Sequence, residues 1–321
     1  NMFPRLEKDE REKIQNIIKN ITIMDPAVGS GHFLVSALNI LLWLWYHFGI
    51  IDTKGVYSLE FEGEDIFIFK GNEIFCYTKT SLPQDIKFQK EIFNAKKHII
   101  ENNLFGVDIN PKSVEIARLR LWIELLKHCY YKTENEMETL PNIDINIKVG
   151  NALTGEILWN SKHPLFVSLE QGKLIEYKKA LLEYKESDNK QKRKKTLENI
   201  LKIRKEFGEK FGLKDEDFES KIIYPFDFPH VITDNDEIGF DVVIGNPPYG
   251  NILGKDINKN TKSFVQQNYK YSTFSDISSP FIEKSFELLK KQGNLVFIIT
   301  YAITFNKDFS KNRELLANNF E

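Results

Sequence analysis

The chain has 321 residues, 41% hydrophobic and 28% charged, enough to bury a full core in one large domain or two modest ones. A net charge of −2 and a pI near 6.4 exclude a globally basic nucleic-acid binder, so any basic surface has to be local. Two cysteines, Cys76 and Cys129, and six scattered histidines provide neither a disulfide framework nor a zinc spacing, which points to a reducing cytoplasm and to no metal.

Residues Pro4 to Asn20 set Leu6, Ile14, Ile17 and Ile18 against a charged face and predict an amphipathic helix, with no cleavable signal. Ile21 to Met24 reads as a short strand, and Asp25-Pro-Ala-Val-Gly-Ser-Gly-His32 is the turn after it. Strand, Gly-x-Gly turn and long helix open a nucleotide-binding βαβ unit, in which glycines let backbone N–H groups approach a ligand at a helix N-terminus. The third glycine of the dinucleotide fingerprint is missing, and Asp25 would repel phosphate while suiting a cationic amine. Both features point away from a pyrophosphate-bearing dinucleotide. His32 is expected to start the helix. Phe33 to His47 is apolar on all sides and is expected to lie sandwiched in the fold rather than in a membrane.

From Gly49 to about Asn102 the pattern changes to short alternating runs, Val56–Phe61, Ile66–Phe69 and Ile74–Tyr77, which predict a β-rich insertion. Leu104 to Asp108 is a second strand ending in a carboxylate, and Pro111 opens a helix whose Val114, Ala117, Leu121 and Leu125 should be buried. An acid in the place of Asp108 holds the two ribose hydroxyls of an adenosine in such folds, with Asn110 left to cap the helix. Ile143 to Val149 alternates as a third strand ending at Gly150-Asn151-Ala152-Leu153, where Asn151 could meet an adenine edge or simply form the turn. A second insertion runs from about 155 to 236. Its middle, Lys173 to Lys214, holds 14 Lys or Arg against 7 Asp or Glu and predicts a helical hairpin with excess positive charge, read as a solvated arm.

Phe240 to Gly245 reads as a buried strand of a parallel sheet that stops at Asn246-Pro247-Pro248-Tyr249. The prolines fix the turn and lack N–H groups, so it presents the Asn246 amide oxygen and backbone carbonyls without competing donors. Acceptors of this kind, beside the ring of Tyr249, suit an amino group on a flat ring. Gly250 to Ser275 is polar and predicts a mobile loop over a site. Pro280 to Gln292 is expected as a helix ended by Gly293, Leu295 to Thr300 as another buried strand, and a last helix begins at Lys307.

Asp25 to Leu34, Gly106 to Pro111, Gly150 to Leu153, Phe240 to Tyr249 and Leu289 to Ile299 occur in the order found in amino-methylating DNA adenine methyltransferases. More narrowly, the chain resembles the methyltransferase part of Eco57I-like restriction-modification enzymes. The resemblance implies an α/β, Rossmann-like methyltransferase fold with a mostly parallel sheet, interrupted by the two insertions. Residues 1–321 would then be the catalytic domain as a fragment, with the target-recognition domain not present and any restriction activity elsewhere. It implies S-adenosylmethionine as cofactor, with Asp25, Pro26, Ala27, Gly29, Gly31 and Phe33 at its methionine end, Asp108 and Ile109 at ribose and adenine, and Asn151 and Ala152 at the adenine rim. It implies DNA as partner, with no membrane and no metal, and Asn246, Pro247, Pro248 and Tyr249 as the catalytic turn acting on a flipped adenine N6. Two other readings share the turn: a protein glutamine methyltransferase, and a catalytically silent DNA-binding or scaffold subunit of a defence complex.

Overall fold

A computed structural model of the chain describes residues 7–63, 65–75, 82–132, 136–138, 146–155, 171–186, 190–210, 222–231, 239–250, 259–273 and 276–320. In chain order its elements begin with α1 (Lys8–Asn20), β1 (Ile23–Asp25), α2 (His32–His47), β2 (Tyr57–Glu62), β3 (Asp65–Lys70), β4 (Glu73–Ile74) and α3 (Pro83–Asn102). There follow β5 (Leu104–Asp108), α4 (Pro111–Leu126), β6 (Ile147–Val149), α5 (Gln171–Glu186), α6 (Lys190–Lys210) and α7 (Tyr224–Asp227). The chain continues with β7 (Phe240–Gly245), α8 (Lys259–Asn268), α9 (Ser278–Leu288), β8 (Leu289–Phe297) and α10 (Ser310–Asn319). Five strands form a parallel sheet in the order β6-β5-β1-β7-β8, and β2-β3-β4 form a small antiparallel sheet. Parallel order with helical crossovers is the Rossmann-like α/β architecture. Among the described residues no helix is long and apolar enough to cross a membrane.

The chain divides into two compact units, one of Asn1–Ile23, Val28–Phe105 and Lys112–Ile147, the other of Met24–Ala27, Gly106–Pro111 and Lys148–Glu321. In the first, α2 buries Leu34, Leu38, Leu41, Leu42 and Trp45, as its all-round apolar sequence requires, while Ile40 remains exposed. The stretch expected to be β-rich is so only as far as Ile74; Cys76 and Tyr77 lie outside the described residues. Residues 83–102 are instead a 20-residue helix. Phe88, Ile92, Ala95 and Ile99 recur at helical spacing and are buried, and Pro83 sits in the first turn, so helical period wins over the β character of the preceding runs.

Buried charge ties this unit together. Asp85 of α3 accepts hydrogen bonds from the Tyr57 hydroxyl of β2 and, at 2.7 Å, from Lys70 of β3. Lys96, fully buried, donates to Glu124 Oε2 of α4 at 3.1 Å and to the Glu124 carbonyl at 3.2 Å. Burial lowers the Lys96 pKa to about 8 even though Glu124 opposes the shift. Lys127 then bridges Glu124 at 2.6 Å and Asp65 of β3 at 3.3 Å. The small sheet is therefore anchored through carboxylates on the two long helices.

In the second unit β7 runs parallel to β8, with Val243 opposite Leu295 and Gly245 opposite Phe297. The pairing slips between Phe240 and Val242, which face Leu289 and Asn294, and Gln292 takes φ +70° in the intervening bulge. The expected helix to Gln292 accordingly ends at Leu288, because Leu289 already pairs with Phe240 and the sheet claims the backbone. Among the described residues the strand expected to be buried is the last in the sheet, with Val296 and the following Ile298 exposed. Of the third expected strand, Ile147–Val149 is observed; Asn146 is a turn residue and residues 143–145 lie outside the described set. The stretch 250–275, expected to be a loop, carries the ten-residue helix α8.

Gly31 sets the start of α2. It adopts φ +83°, and a Cβ there would sit 3.0 Å from Ala117 Cβ of α4. Gly31→Ala combines left-handed strain with a tight contact and should lower stability by about 1–3 kcal/mol in urea unfolding; an unchanged midpoint would show that the turn relaxes freely.

Candidate functional site

A cleft of about 630 Å³ opens in the second unit at the carboxyl ends of the sheet strands. Pro26 and Ala27 line it after β1, Asp108 and Ile109 after β5, Gly150 to Leu153 after β6, and Asn246, Pro248, Tyr249 and Gly250 after β7. Thr261 of α8, Ile277 and Phe281 of α9 complete the lining. The volume lies within the range of small-molecule sites, and the place is where parallel α/β sheets bind ligands.

Asp25 ends β1 almost wholly buried, at 1% exposure. Its Oδ1 accepts the Ala27 N–H at 3.0 Å, and its Oδ2 is buried with no hydrogen-bond partner. Burial pushes its pKa up to about 7, the Ala27 N–H working against the shift and the Asp108 charge adding to it. Gly245 of β7 makes room for this carboxylate, since a Cβ there would lie 2.8 Å from Asp25 Oδ1. The first strand's acid and the strand leading into the double-proline turn are thus fitted against each other.

Asp108 is half-buried and its Oδ1 accepts the Asn110 N–H at 2.8 Å, a turn bond that leaves the carboxylate at the cleft. Its carbonyl accepts the Gly150 N–H at 2.9 Å, joining the β5 and β6 ends. Asn151 makes turn bonds on both sides of its amide: Oδ1 accepts from Leu153 N–H at 3.0 Å, and Nδ2 donates to Thr261 Oγ1 at 2.8 Å. The loop is held from behind by the Tyr224 hydroxyl on the Ala152 carbonyl at 3.3 Å, Tyr269 on Leu153 at 2.7 Å and the buried Lys284 ammonium on Gly155 at 3.1 Å.

In the turn after β7, Pro247 is buried while Asn246, Pro248 and Tyr249 are exposed. The Tyr249 hydroxyl lies between two acceptors, Asn246 Oδ1 and, at 2.7 Å, the Ile298 carbonyl. It has one hydrogen for the two. Gly250 closes the turn at φ +116°, its carbonyl accepting Ile277 N–H at 2.9 Å. Asp276 in turn accepts the Ser278 N–H and hydroxyl at 2.8 and 2.6 Å, which starts α9 and presents Phe281 to the cleft.

Of the residues singled out in the sequence, the cleft gathers Pro26, Ala27, Asp108, Ile109, Asn151, Ala152, Asn246, Pro248 and Tyr249 in its lining. Asp25 and Pro247 are buried and absent from the lining. Gly29, Gly31 and Phe33 belong to the first unit, where both glycines take positive φ and Phe33 sits half-buried in the first turn of α2. Thr261 went unrecognised because a polar stretch read as a loop gives no sign of the helix face inside it, and Ile277 and Phe281 because apolar residues at a helix start read as core. Among the described residues no group of three or more His, Cys, Asp and Glu side chains could hold a metal ion.

The state of Asp25 has a measurable pH signature. The folded protein holds its proton up to about pH 7 while the unfolded chain releases it near 3.8, so this carboxyl's contribution is full below pH 3.8 and is lost as pH rises through 7. Asp25→Asn should remove that slope and raise stability at pH 8 by up to roughly 4 kcal/mol. Urea titrations of both proteins at pH 5 and pH 8 check this; parallel pH profiles would place the carboxyl in a polar environment.

Comparison with known proteins fits this arrangement. The sequence profile of the Eco57I restriction-modification methylase family matches residues 102–321. The chain is 30% identical, over 93% of its length, to a candidate type II restriction enzyme and methyltransferase of Methanocaldococcus jannaschii, of which the match covers 27%. It is 21% identical, over 94% of its length, to the adenine-specific methyltransferase PglX of Lacticaseibacillus casei, of which the match covers 21%. The type II methyltransferase M.BstVI of Geobacillus stearothermophilus is 33% identical across 26% of this chain and 15% of its own. The chain thus spans about a quarter or less of the length of these curated relatives. With strand ends, cleft and double-proline turn inside the matched region apart from the β1 turn, the chain belongs to the Eco57I restriction-modification methylase family.

Proposed function

We propose that this chain transfers a methyl group from S-adenosylmethionine to the N6 amino group of adenine in DNA, in the cytoplasm and as part of a restriction-modification enzyme. One observation carries the reading: Asn246 at the end of β7 shares a single cleft with Pro26, Ala27 and Asp108 at the ends of β1 and β5. A turn whose two prolines lack N–H groups thereby faces a site whose acids suit a cation and a ribose.

The residues present fit the cofactor. The buried, unpartnered Asp25 Oδ2 and the adjoining Pro26 and Ala27 suit the ammonium of a methionine moiety, and no phosphate is there to be repelled. Asp108 would hold the ribose hydroxyls and Ile109 the adenine face, with Asn151 and Ala152 at the rim. Since the Asn151 amide is committed to Leu153 and Thr261, it acts by shaping that rim. Bound there, S-adenosylmethionine supplies an electrophilic methyl group on a sulfonium.

Adenine N6 is a weak nucleophile because its lone pair is delocalised into the ring. Asn246 Oδ1 and the Pro247 carbonyl accept its two N–H bonds, localising the lone pair and stabilising the positive charge that grows on nitrogen during attack. Pro247 and Pro248 have no N–H to compete. The entering amine replaces the Tyr249 hydroxyl on Asn246, and that hydroxyl keeps the Ile298 carbonyl as its acceptor. The Tyr249 ring, 48% exposed, then offers a face on which an extruded base stacks, worth about 1–3 kcal/mol. No general base is needed before transfer, since the proton is lost from an already alkylated, acidic ammonium.

Incubating the full-length enzyme with isotopically labelled S-adenosylmethionine and DNA, then digesting to nucleosides for mass spectrometry, tests the reading. Label is expected on N6-methyladenine. Label on N4-methylcytosine or on a protein glutamine would contradict it. Asn246→Ala should lower turnover about 100- to 1,000-fold while cofactor affinity stays close to that of the parent enzyme. Tyr249→Phe, which keeps the stacking face and frees Asn246, should retain most of its turnover, and Tyr249→Ala should not.

A further inference from the structure

The pair of helices α5 and α6 takes no part in the cleft, yet it is built rigidly and charged at one end. Tyr177, Ala180 and Leu181 of α5 and Ile200 and Ile203 of α6 form one buried cluster with Ile223 and Phe226, joined by the half-buried Tyr184. The Tyr177 hydroxyl donates to the Phe226 carbonyl at 2.8 Å, and Arg204 meets Asp227 at 3.3 Å. Asp227 also accepts the Ile223 N–H at 2.7 Å. This root is continuous with the cleft wall, because Tyr224 between those two residues supports the Ala152 carbonyl.

The opposite end of α6 begins Lys190-Gln-Lys-Arg-Lys-Lys195, five cations in six residues with no apolar side chain among them. Lys192, Lys194 and Lys195 are exposed, and among the described residues Lys194 and Lys195 make no ion pair. Two ion pairs of α6, Lys202 with Glu206 and Arg204 with Asp227, lie in its C-terminal half. The helix thus places its densest positive charge at the end where its own dipole favours anions. Folding gains nothing from that arrangement, and a polyanion relieves it. With an excess of seven positive charges between Lys173 and Lys214 on a chain of net charge −2, the basic surface is concentrated on this arm.

Resting on the reading of this chain as a DNA-modifying enzyme, we infer that the N-terminal end of α6, through Lys194 and Lys195, contacts the DNA phosphate backbone and holds the duplex while a base enters the cleft. The lack of apolar groups in the run makes the contact electrostatic and independent of sequence, the kind that sets position rather than specificity. An acidic protein partner would meet the same charge, but without any dependence of DNA binding on the arm.

Titration of the full-length enzyme with a fluorescent non-cognate duplex at several salt concentrations distinguishes these outcomes. For Lys194→Glu/Lys195→Glu, the slope of log affinity against log salt should flatten by about two, with affinity at low salt falling at least tenfold and cofactor binding unchanged. Lys8→Glu/Lys13→Glu on α1 makes the same change of net charge and should leave the slope in place. Equal slopes for the two variants would overturn the arm's role while leaving methyl transfer standing. Wild-type enzyme that binds no DNA at low salt would overturn both the arm's role and the functional reading beneath it.

Discussion

The site depends on a carboxylate held out of water. Asp25 sits at the end of β1 with one oxygen on the Ala27 N–H and the other unmatched, and burial moves its titration to about pH 7. Such a group opposes stability at neutral pH, because burial penalises its charged form. Its packing also fixes what lies beside it. Only a residue without Cβ fits at Gly245, so the strand that leads into the double-proline turn is shaped by the acid of the first strand.

From that contact the two halves of the chemistry follow. At the β5 end the cleft offers the Asp108 carboxylate, while at the β1 end Pro26 and Ala27 line it and Asp25 is buried beside them. After β7 two successive prolines remove backbone N–H groups, and the exposed Asn246 and Tyr249 side chains line the cleft. The resting partner of Asn246 is the Tyr249 hydroxyl, which has a second acceptor in Ile298 and gives up the first without being left unsatisfied.

Much of this frame was legible in the residues. The apolar runs ending in Asp25, Asp108 and Gly245 each mark a strand that leads into a turn lining the cleft, and parallel topology brings such termini to one end of a sheet. What escaped notice had physical reasons. Helix α3 was hidden because its apolar positions are interleaved with Lys87, Lys90 and Lys96, and the buried charge of Lys96 becomes acceptable only through Glu124 of another helix. Helix α8 was hidden by its polarity, although Thr261 fixes the Asn151 amide from within it. The burial of Asp25 is a tertiary property with no local trace. Among the described residues, last place in the sheet order likewise left no mark on β8, whose apolar sequence suits a buried strand while Val296 and the following Ile298 are exposed.

In the proposed reaction an adenine amine meets Asn246 in the cleft lining and the adjoining Pro247 carbonyl, while the β1 and β5 ends hold the cofactor. A structure of the full-length enzyme with a non-reactive amine analogue of S-adenosylmethionine and a duplex carrying the target site tests it most directly. The account predicts an extruded adenine against Tyr249, with N6 about 3 Å from both acceptors and the analogue between the Asp25 and Asp108 ends. A base held elsewhere, or an analogue bound outside the residues around Ala27 and Asp108, would contradict it.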